Sequence, residues 1–207
     1  MVKAVVLFSG GLDSTVLLYM LLSKGIDVYP LFIDYGHKAS IAEGRAVVAI
    51  SEKLGLYTKI IKFNDLKSLL FDIHDLEKST FYYPYRNILF IILAAMYAYN
   101  IKASSIFIGL SSTYFQEAAF PDTTEDFINR AIELLRIYDH NIRVYAPLVN
   151  IDKATIVQIG NNLGVPFHIT YSCYHGGEVH CGKCPACLNR KMAFRKAGIN
   201  DPTVYAK

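Results

Sequence analysis

The stretch FSGGLDST, at residues 8–15, joins two apolar segments of different length. The segment before it, residues 4–7, is short and rich in valine, which favours a buried parallel strand. The segment after it, residues 16–22, is too long for a second strand and is followed by Lys24-Gly25, a typical helix terminus. The stretch is therefore predicted to be a glycine turn between the first strand and the first helix.

A turn of this kind is a binding site for an anion. Gly10 and Gly11 have no Cβ, so the backbone can turn sharply and approach a ligand closely. The unpaired N–H groups at the start of the helix point at a negative group bound there. Asp13 can cap the helix or hold a metal ion, and the simplest alternative for the whole stretch is a serine-rich turn without a ligand. Hydroxyl donors are added by Ser9, Ser14 and Thr15.

The turn differs from two better-known phosphate-binding loops. A Walker A loop needs a lysine beside its serine or threonine, where this chain has Asp13. The dinucleotide fingerprint spaces its glycines as G-x-G-x-x-G, which this turn does not. The stretch instead resembles the Ser-Gly-Gly-x-Asp-Ser signature of the N-type ATP pyrophosphatases, or PP-loop enzymes. This resemblance implies that the turn holds the pyrophosphate of ATP while AMP is transferred to a substrate oxygen.

Composition indicates a compact globular protein. The chain has 207 residues, of which 53% are hydrophobic and 19% charged, enough for one medium domain with a sizeable core. The net charge of +3 is too small to indicate nucleic-acid binding, and no direct nucleic-acid partner is expected. No apolar run reaches about 18 residues, so no membrane span is expected. The start, Met1-Val2-Lys3, does not resemble a signal peptide, and a cytoplasmic location is the expectation.

Strand-like and helix-like segments alternate along the chain. Further strands are predicted at residues 27–33, 57–63, 104–110 and 142–145, and helices at 39–54, 86–100, 125–138 and 152–164. A short helix is predicted at 64–71 and an irregular loop at 72–85. This alternation predicts an α/β fold with a doubly wound parallel sheet, whose strand-end loops share one rim. A single domain over residues 1–207 is expected, with an ATP-binding core at 1–170 and a small element at 171–207.

Several side chains at this rim are candidates for binding. Arg86 lies in the first turn of a helix, where a cation opposes the helix dipole, so it needs another partner. That partner is an anionic ligand or a structural carboxylate. Lys153, also at a helix start, is a cation for phosphate or carboxylate, or an ordinary surface residue. Phe81 and Tyr83 can stack on a flat heterocycle, or can serve in the core or in a lid.

The four cysteines are clustered near the end of the chain. Their spacing is C-x7-C-x2-C-x2-C, and pairs two residues apart can reach one ion across a tight turn. Four thiolates close a tetrahedral shell, which predicts structural zinc, with an iron–sulfur cluster or a redox or sulfur-carrying cysteine pair as alternatives. His175 and His180 are surplus to this set and are expected at the surface or as supporting donors. The predicted metal ligands are Cys173, Cys181, Cys184 and Cys187.

These features occur in the order found in one family. With the turn, the sequences DYG at 34–36, RNILF at 86–90, PD at 121–122 and IDK at 151–153, and the cysteines, the chain resembles the 7-cyano-7-deazaguanine synthases over nearly its whole length. The resemblance implies a ligase that converts 7-carboxy-7-deazaguanine, ammonia and ATP to the nitrile precursor of queuosine and archaeosine. It implies zinc on the cysteines, Mg²⁺ with ATP, and a homodimer.

The resemblance also assigns residues to roles. ATP binding is assigned to Phe8, Ser9, Gly10, Gly11, Leu12, Asp13, Ser14, Thr15, Val16, Leu17 and Leu18. Catalytic roles at pyrophosphate, metal or carboxylate are expected for Asp13, Arg86 and Lys153. Substrate contacts are expected from Tyr35, Phe81, Tyr83, Arg86, Asn87, Gly109 and Asp122.

The chain departs from the family pattern at two places. Bacterial members commonly have Pro-Gly-Arg-Asn where this chain has Tyr85 after proline, which is expected to put a large ring beside the pocket. The loop after Gly109 commonly carries carboxylates, where this chain has Ser112 and Tyr114, with Glu117 the nearest acid. A carboxylate is the natural partner of the N1–H and amino group of a guanine-like ring, so this second departure bears on the substrate.

Two other functions remain open on the sequence. One is a PP-loop enzyme that adenylates a different carboxylate or a tRNA base. Sulfur transfer by such an enzyme needs a cysteine near the turn, and residues 1–172 contain none. The other is a zinc-bearing interaction module without catalysis, against which the intact glycine turn argues.

Overall fold

The computed structural model describes residues 2–63, 66, 83–111 and 120–206. Its centre is a parallel sheet of five strands in the order β3-β2-β1-β4-β5. The strands are β1 (Lys3–Leu7), β2 (Asp27–Asp34), β3 (Lys59–Lys62), β4 (Ser105–Ile108) and β5 (Arg143–Tyr145). The helices are α1 (Leu12–Ser23), α2 (Ser40–Leu54), α3 (Arg86–Ile101), α4 (Glu125–Arg136), α5 (Lys153–Asn162) and α6 (Pro185–Ala197). The predicted doubly wound α/β fold is confirmed.

Strand β1 lies at the centre of the sheet because both of its faces are apolar. Val6 packs into a core formed with α1, α2, α5 and α6, and Val5 and Leu7 pack into a second core formed with α3 and α4. Alternate residues of a strand point to opposite faces, so an unbroken apolar run fills both cores. Residues 4–6 are completely buried as a result.

The strand order places one crevice above the end of β1. The chain proceeds from β1 to β2 and β3 on one side, then returns to β4 and β5 on the other. At such a reversal the loops that follow the neighbouring strands separate, and ligands bind between them. Here these are the loops after β1, β2 and β4, which include the glycine turn, Tyr35 and Gly109.

Most predicted elements end within a few residues of their predicted limits. Asp152 caps α5, because its Oδ1 accepts hydrogen bonds from the N–H groups of Ala154 (2.8 Å) and Thr155 (3.4 Å). β3 is shorter than predicted, at Lys59–Lys62. The short helix expected at 64–71, most of the loop at 72–85, and the loop positions Ser112, Tyr114 and Glu117 lie outside the described residues, apart from Leu66.

The C-terminal segment folds back onto the sheet domain. Helix α6 packs against α5, and the cysteines pack with Ala39, Ala42 and Ala46 at the start of α2. A 3₁₀ turn at Phe167–Ile169 connects α5 to this segment. Among the described residues, no helix has the length and hydropathy that a membrane crossing requires.

Candidate active site

The glycine turn is held from two sides. Gly10 has φ of +70°, and a Cβ there would lie 2.9 Å from both Ala46 Cβ and Val47 N of α2. Its carbonyl oxygen accepts a hydrogen bond of 2.9 Å from the N–H of Tyr171, in the C-terminal segment. A side chain at this position would therefore clash with α2 as well as strain the backbone. Contacts with α2 and with the C-terminal segment therefore hold the turn in this shape.

Hydroxyl groups line the first turn of α1. Gly11 is the N-cap residue, and its carbonyl accepts a hydrogen bond of 2.7 Å from Thr15 Oγ1. Ser9 Oγ and Ser14 Oγ lie 3.2 Å apart, and Ser14 Oγ also accepts from the N–H of Ser9 at 3.3 Å. The two serines are thus fixed beside the free N–H groups of the helix start, where they can add donors to an anion.

Asp13 does not cap α1. It forms an ion pair with Lys153 at the start of α5, and both side chains are more than four-fifths buried. Its Oδ1 atom is buried and has no hydrogen-bond partner among the described residues. Lys153 is therefore not an exposed surface residue, its role toward a ligand stays a prediction, and Asp13 keeps one oxygen without a partner among the described residues.

A cavity of about 240 Å³ extends from the turn across the crevice. Most of the predicted polar site residues lie on its wall. The predicted residues on the wall are Phe8, Ser9, Asp13, Ser14, Tyr35, Arg86, Asn87, Gly109 and Asp122. Four predicted ATP-binding residues instead pack in the apolar core, namely Leu12, Val16, Leu17 and Leu18. Lys153 contacts Asp13, which lines the cavity, and is not itself among the lining residues. Phe81 lies outside the described residues.

Arg86 projects from the first turn of α3 toward Tyr35. Its Nη1 donates a hydrogen bond of 3.1 Å to the Tyr35 hydroxyl, and its guanidinium lies 5.7 Å from the centre of the Tyr83 ring. The buried Nε–H has no acceptor among the described residues. Burial raises the pKa of Tyr35 to about 12, so its hydroxyl is neutral at physiological pH. Arg86 therefore retains a buried donor that a ligand can use.

Asp122 presents a buried carboxylate on the cavity wall, near Arg86. It lies in a 3₁₀ turn, Pro121–Thr123, whose Asp122 carbonyl accepts a hydrogen bond of 3.1 Å from Asn87 Nδ2. Its Oδ2 is buried and lacks a hydrogen-bond partner in the described part of the chain. Burial raises the pKa of this carboxyl group, while the nearby Arg86 charge lowers it. Asn87 thus fixes the turn, and Asp122 keeps an acceptor for a ligand.

The four cysteine sulfurs form a compact cluster at the start of α6. All four lie within 4.8 Å of one another, with 3.9 Å between Cys181 and Cys187 and 4.0 Å between Cys173 and Cys184. Four sulfurs at about 2.3 Å from a central ion lie about 3.8 Å apart, so the cluster fits a tetrahedral metal site. The N–H groups of residues 181, 183 and 184 point at the sulfurs, as donors to thiolates do.

Residues 3–198 match the family described as "Queuosine biosynthesis protein QueC". The chain belongs to this family. A protein named 7-cyano-7-deazaguanine synthase from Trichormus variabilis is 34% identical over 99% of this chain and 99% of its own length. One with the same name from the archaeon Thermoplasma volcanium is 34% identical over 99% of this chain and 91% of its own. These relatives therefore align in sequence with nearly the full length of the chain.

A solved structure outside this family shares the fold. NMN synthetase from Francisella tularensis superimposes with a TM-score of 0.54, covering 96% of this chain and 77% of that one. The two sequences are 14% identical, so the similarity concerns the fold alone. It supports the parallel α/β fold described above.

Two features of the QueC-family chain differ from expectation. Tyr85 was expected to place its ring beside the pocket, which is wrong: it is 81% exposed and forms no part of the cavity wall. The cause is the backbone, because Tyr85 is the N-cap of α3 with φ of +65°, a conformation suited to glycine. His180 was expected at the surface or as a supporting donor, yet it is buried and its Nε2 accepts from the N–H of Ser172 at 3.0 Å.

Gly109 has a packing role in the site. A Cβ there would lie 3.1 Å from the N and Cα atoms of Ser14, so the end of β4 touches the first turn of α1. A larger residue would displace the hydroxyl groups described above. The structure therefore explains this glycine by close approach of two backbones, independent of any ligand contact.

Sequence reasoning missed three residues of importance. Glu43 and Tyr174 lie on the cavity wall, and Arg190 anchors the C-terminal segment. Glu43 has a signal in the sequence, since it follows Ser40 by three positions in a helix-start pattern and His37 lies just after β2. No signal in the sequence identifies Arg190, because a helix rich in lysine and arginine does not indicate which of these side chains is buried.

Proposed function

We propose that this chain is an ATP-dependent ligase that forms 7-cyano-7-deazaguanine from 7-carboxy-7-deazaguanine and ammonia. The relatives that match it from end to end carry the name of this synthase. The observation that carries the proposal is one cavity that joins the glycine turn to two buried polar atoms, Arg86 Nε and Asp122 Oδ2, neither of which has a hydrogen-bond partner among the described residues. A phosphate-binding turn and a polar pocket of about 240 Å³ in one space suit the union of a nucleotide with a small polar ring.

ATP is proposed to bind with its pyrophosphate in the turn. The N–H groups at the start of α1, with the Ser9 and Ser14 hydroxyls, supply donors in a fixed arrangement. Asp13 Oδ1, which is buried and unpaired among the described residues, suits a magnesium ion as an oxygen ligand. When bound, Mg²⁺ supplies positive charge to the pyrophosphate that leaves. Lys153 holds Asp13 in position and adds a cation at the same end of the cavity.

The deazapurine is proposed to bind between Arg86 and Asp122. A guanine-like ring has an N1–H and an amino group side by side, which a carboxylate accepts from. The family's loop carboxylates are replaced at Ser112 and Tyr114, and Asp122 offers the acceptor instead. Arg86 is then available to the carboxylate of the substrate, held by Tyr35 at 3.1 Å. Tyr83, whose ring lies 6.1 Å from that of Tyr35, borders this region.

The proposed reaction uses two molecules of ATP. The substrate carboxylate attacks the α-phosphorus, pyrophosphate leaves, and an acyl adenylate forms. Ammonia attacks the acyl carbon, the bond to AMP breaks, and the amide results. The amide oxygen is adenylated in turn, and its loss as AMP with a proton from nitrogen gives the nitrile. No protein nucleophile is required, so positioning and electrostatic stabilisation are the protein's contribution.

The cysteine cluster is proposed to hold structural zinc. Its four sulfurs leave no open coordination position, and none of the four cysteines lines the cavity, although Tyr174, next to Cys173, does. Zinc in such a site stabilises the fold when bound. Metal analysis of the purified protein separates zinc from an iron–sulfur cluster, which would add iron, inorganic sulfide and visible colour. The homodimer implied by the family resemblance stays a prediction.

The proposal is tested by incubating the protein with 7-carboxy-7-deazaguanine, ammonium and MgATP, followed by mass spectrometry. The nitrile mass is expected, with two AMP formed per nitrile. In the variant Asp122→Asn, one acceptor becomes a donor, and kcat/KM is expected to fall about 10²-fold or more because a buried ring N–H then faces an N–H. The matched control is Asp126→Asn, an exposed acid of α4.

Two results would contradict the proposal. Pyrophosphate release without the nitrile mass would instead support a PP-loop enzyme for another carboxylate or for a tRNA base. Absence of pyrophosphate release with every acceptor would support a non-catalytic zinc-bearing module.

A further inference from the structure

A third acidic residue, Glu43, lies on the wall of the same cavity and takes no part in the steps above. Its Oε2 lies 3.2 Å from His37 Nε2, and its side chain is 24% exposed. Its main chain borders the glycine turn, since its carbonyl oxygen would lie 3.1 Å from a Cβ at Gly10. Glu43 is thus held next to the proposed ATP site and forms part of the cavity wall.

The histidine beside Glu43 is fixed on three sides. His37 Nδ1 lies 2.7 Å from Ser40 Oγ, and the His37 ring stacks on Tyr35 with centroids 4.2 Å apart. Its side chain is 10% exposed, with Nε2 toward Glu43. A ring held at both nitrogens and on one face has a single orientation. His37 therefore fixes the position of the Glu43 carboxylate.

A purely structural role of Glu43 at the start of α2 does not account for this geometry. Ser40 and Glu43 have the S-x-x-E spacing of a capping box, which would join their side chains to backbone N–H groups. In the structure the N-cap is Ala39, and the N–H of Glu43 bonds to the Ala39 carbonyl. The Ser40 hydroxyl contacts His37 instead. The helix dipole favours an acid near a helix start without any histidine partner.

We infer that Glu43 binds the ammonium ion and accepts its proton, and that His37 positions Glu43 for this step. The inference rests on the proposed function, because it concerns the nucleophile of that reaction. Like other amines, ammonia is protonated at neutral pH and then has no lone pair to attack with. A carboxylate beside the acyl carbon attracts the cation and removes one proton.

The step balances without another reactant. One proton passes from ammonium to Glu43, and the freed lone pair forms the C–N bond as the bond from carbon to the AMP oxygen breaks. A second proton leaves the new amide nitrogen for AMP or solvent, and Glu43 releases its proton to solvent before the next turnover. A positioned base of this kind contributes about 10²–10⁴-fold to rate.

The test separates ammonium use from adenylation in the full-length, metal-loaded protein. Three reactions are measured in wild type and Glu43→Gln: ATP–pyrophosphate exchange with the acid, amide formation from ammonium, and hydroxamate formation from hydroxylamine. Hydroxylamine is neutral at neutral pH and needs no deprotonation before attack. The variant is expected to lose about 10²–10⁴-fold in the ammonium reaction, the contribution of a positioned general base, while the other two reactions stay within about threefold.

Controls come from the same helix and from the partner residue. Glu52→Gln, an exposed acid of α2, should leave all three reactions unchanged. His37→Gln should raise the KM for ammonium and leave the KM for ATP unchanged, which a loss of folded protein would not do. If Glu43→Gln does not fold, Glu43→Asp tests the same comparison, because it keeps the charge and shortens its reach.

Two outcomes would overturn the inference. One is an ammonium reaction of normal rate in the folded Glu43 variant, and the other is an equal loss in all three reactions, which would place Glu43 in ATP binding. Wild-type protein without any exchange activity is a different result, because it would overturn the proposed function itself.

Discussion

Two arginines in this molecule occupy enclosed positions and are treated in opposite ways. Arg190 of α6 is 1% exposed and donates through all three of its nitrogens, to Phe167 O, Thr170 Oγ1, Ser172 Oγ and Asp201 Oδ1. Arg86 of α3 donates to Tyr35, and its buried Nε has no acceptor among the described residues. A buried donor without an acceptor destabilises the fold. Such a donor is therefore typical of a site where a bound ligand supplies the acceptor. Full pairing thus marks the structural arginine, and incomplete pairing marks the site.

We expect the largest effect from removing the proposed metal from the C-terminal segment, which Arg190 anchors. Structural zinc in small domains has an apparent binding free energy of about 10–16 kcal/mol, so a strong chelator should unfold residues 171–206. Limited proteolysis and circular dichroism, with and without added zinc, measure this. If residues 171–206 stay protected from proteolysis after complete metal removal, the hydrogen bonds of Arg190 are sufficient to keep this segment folded.

The next largest effect is expected for Arg190→Ala. It removes the charged partner of Asp201 and one donor from each of several enclosed oxygens, and the free energy of unfolding should fall by about 3–5 kcal/mol. Denaturant unfolding measures the change, and activity per folded molecule should stay near that of wild type. The control is Arg195→Ala, an exposed position on the same helix, expected within about 0.5 kcal/mol. A stable but inactive Arg190→Ala would reverse the assignment of the two arginines.

Arg86→Lys should give the opposite pattern. Lysine keeps the positive charge but has no guanidinium group, so the Nε–H donor is lost. We therefore expect kcat/KM to fall about 10–10³-fold with little change in melting temperature. Nitrile formation and thermal unfolding are measured together, with exposed Arg45→Lys as control. If the melting temperature falls in proportion to activity, Arg86 serves the fold and the contrast with Arg190 disappears.

The smallest effect concerns Tyr85, one residue before Arg86. A tyrosine at φ of +65° is strained, and asparagine tolerates this region better. Tyr85→Asn should raise the free energy of unfolding by up to about 1 kcal/mol, since the exposed ring loses no buried contacts. Denaturant unfolding measures it, and unchanged kcat/KM is expected. A fall in kcat/KM would mean that the Tyr85 ring reaches the substrate after all.

The sequence was sufficient for the sheet, the glycine turn and the cysteine cluster, because each depends on local pattern. An unbroken valine run, two adjacent glycines and cysteines at fixed spacing predict their structures from a few neighbouring residues. The pairing of Asp13 with Lys153 joins positions 140 residues apart, and no periodicity indicates it. Likewise, Tyr85 looked like a pocket residue because its φ is not visible in the sequence. Long-range pairing and backbone handedness were therefore the parts that needed the structure.

The hydrogen bond from Tyr171 N to Gly10 O joins a segment that is synthesised late to one that is synthesised 161 residues earlier. The five strands of the described sheet are complete by residue 145, yet the turn made by residues 8–15 lacks one of its two supports until residue 171 has left the ribosome. A truncated translation product that ends before this tyrosine would contain the five described strands and still hold its glycine turn loosely. Completion of the glycine turn thus reports that translation has reached the C-terminal segment.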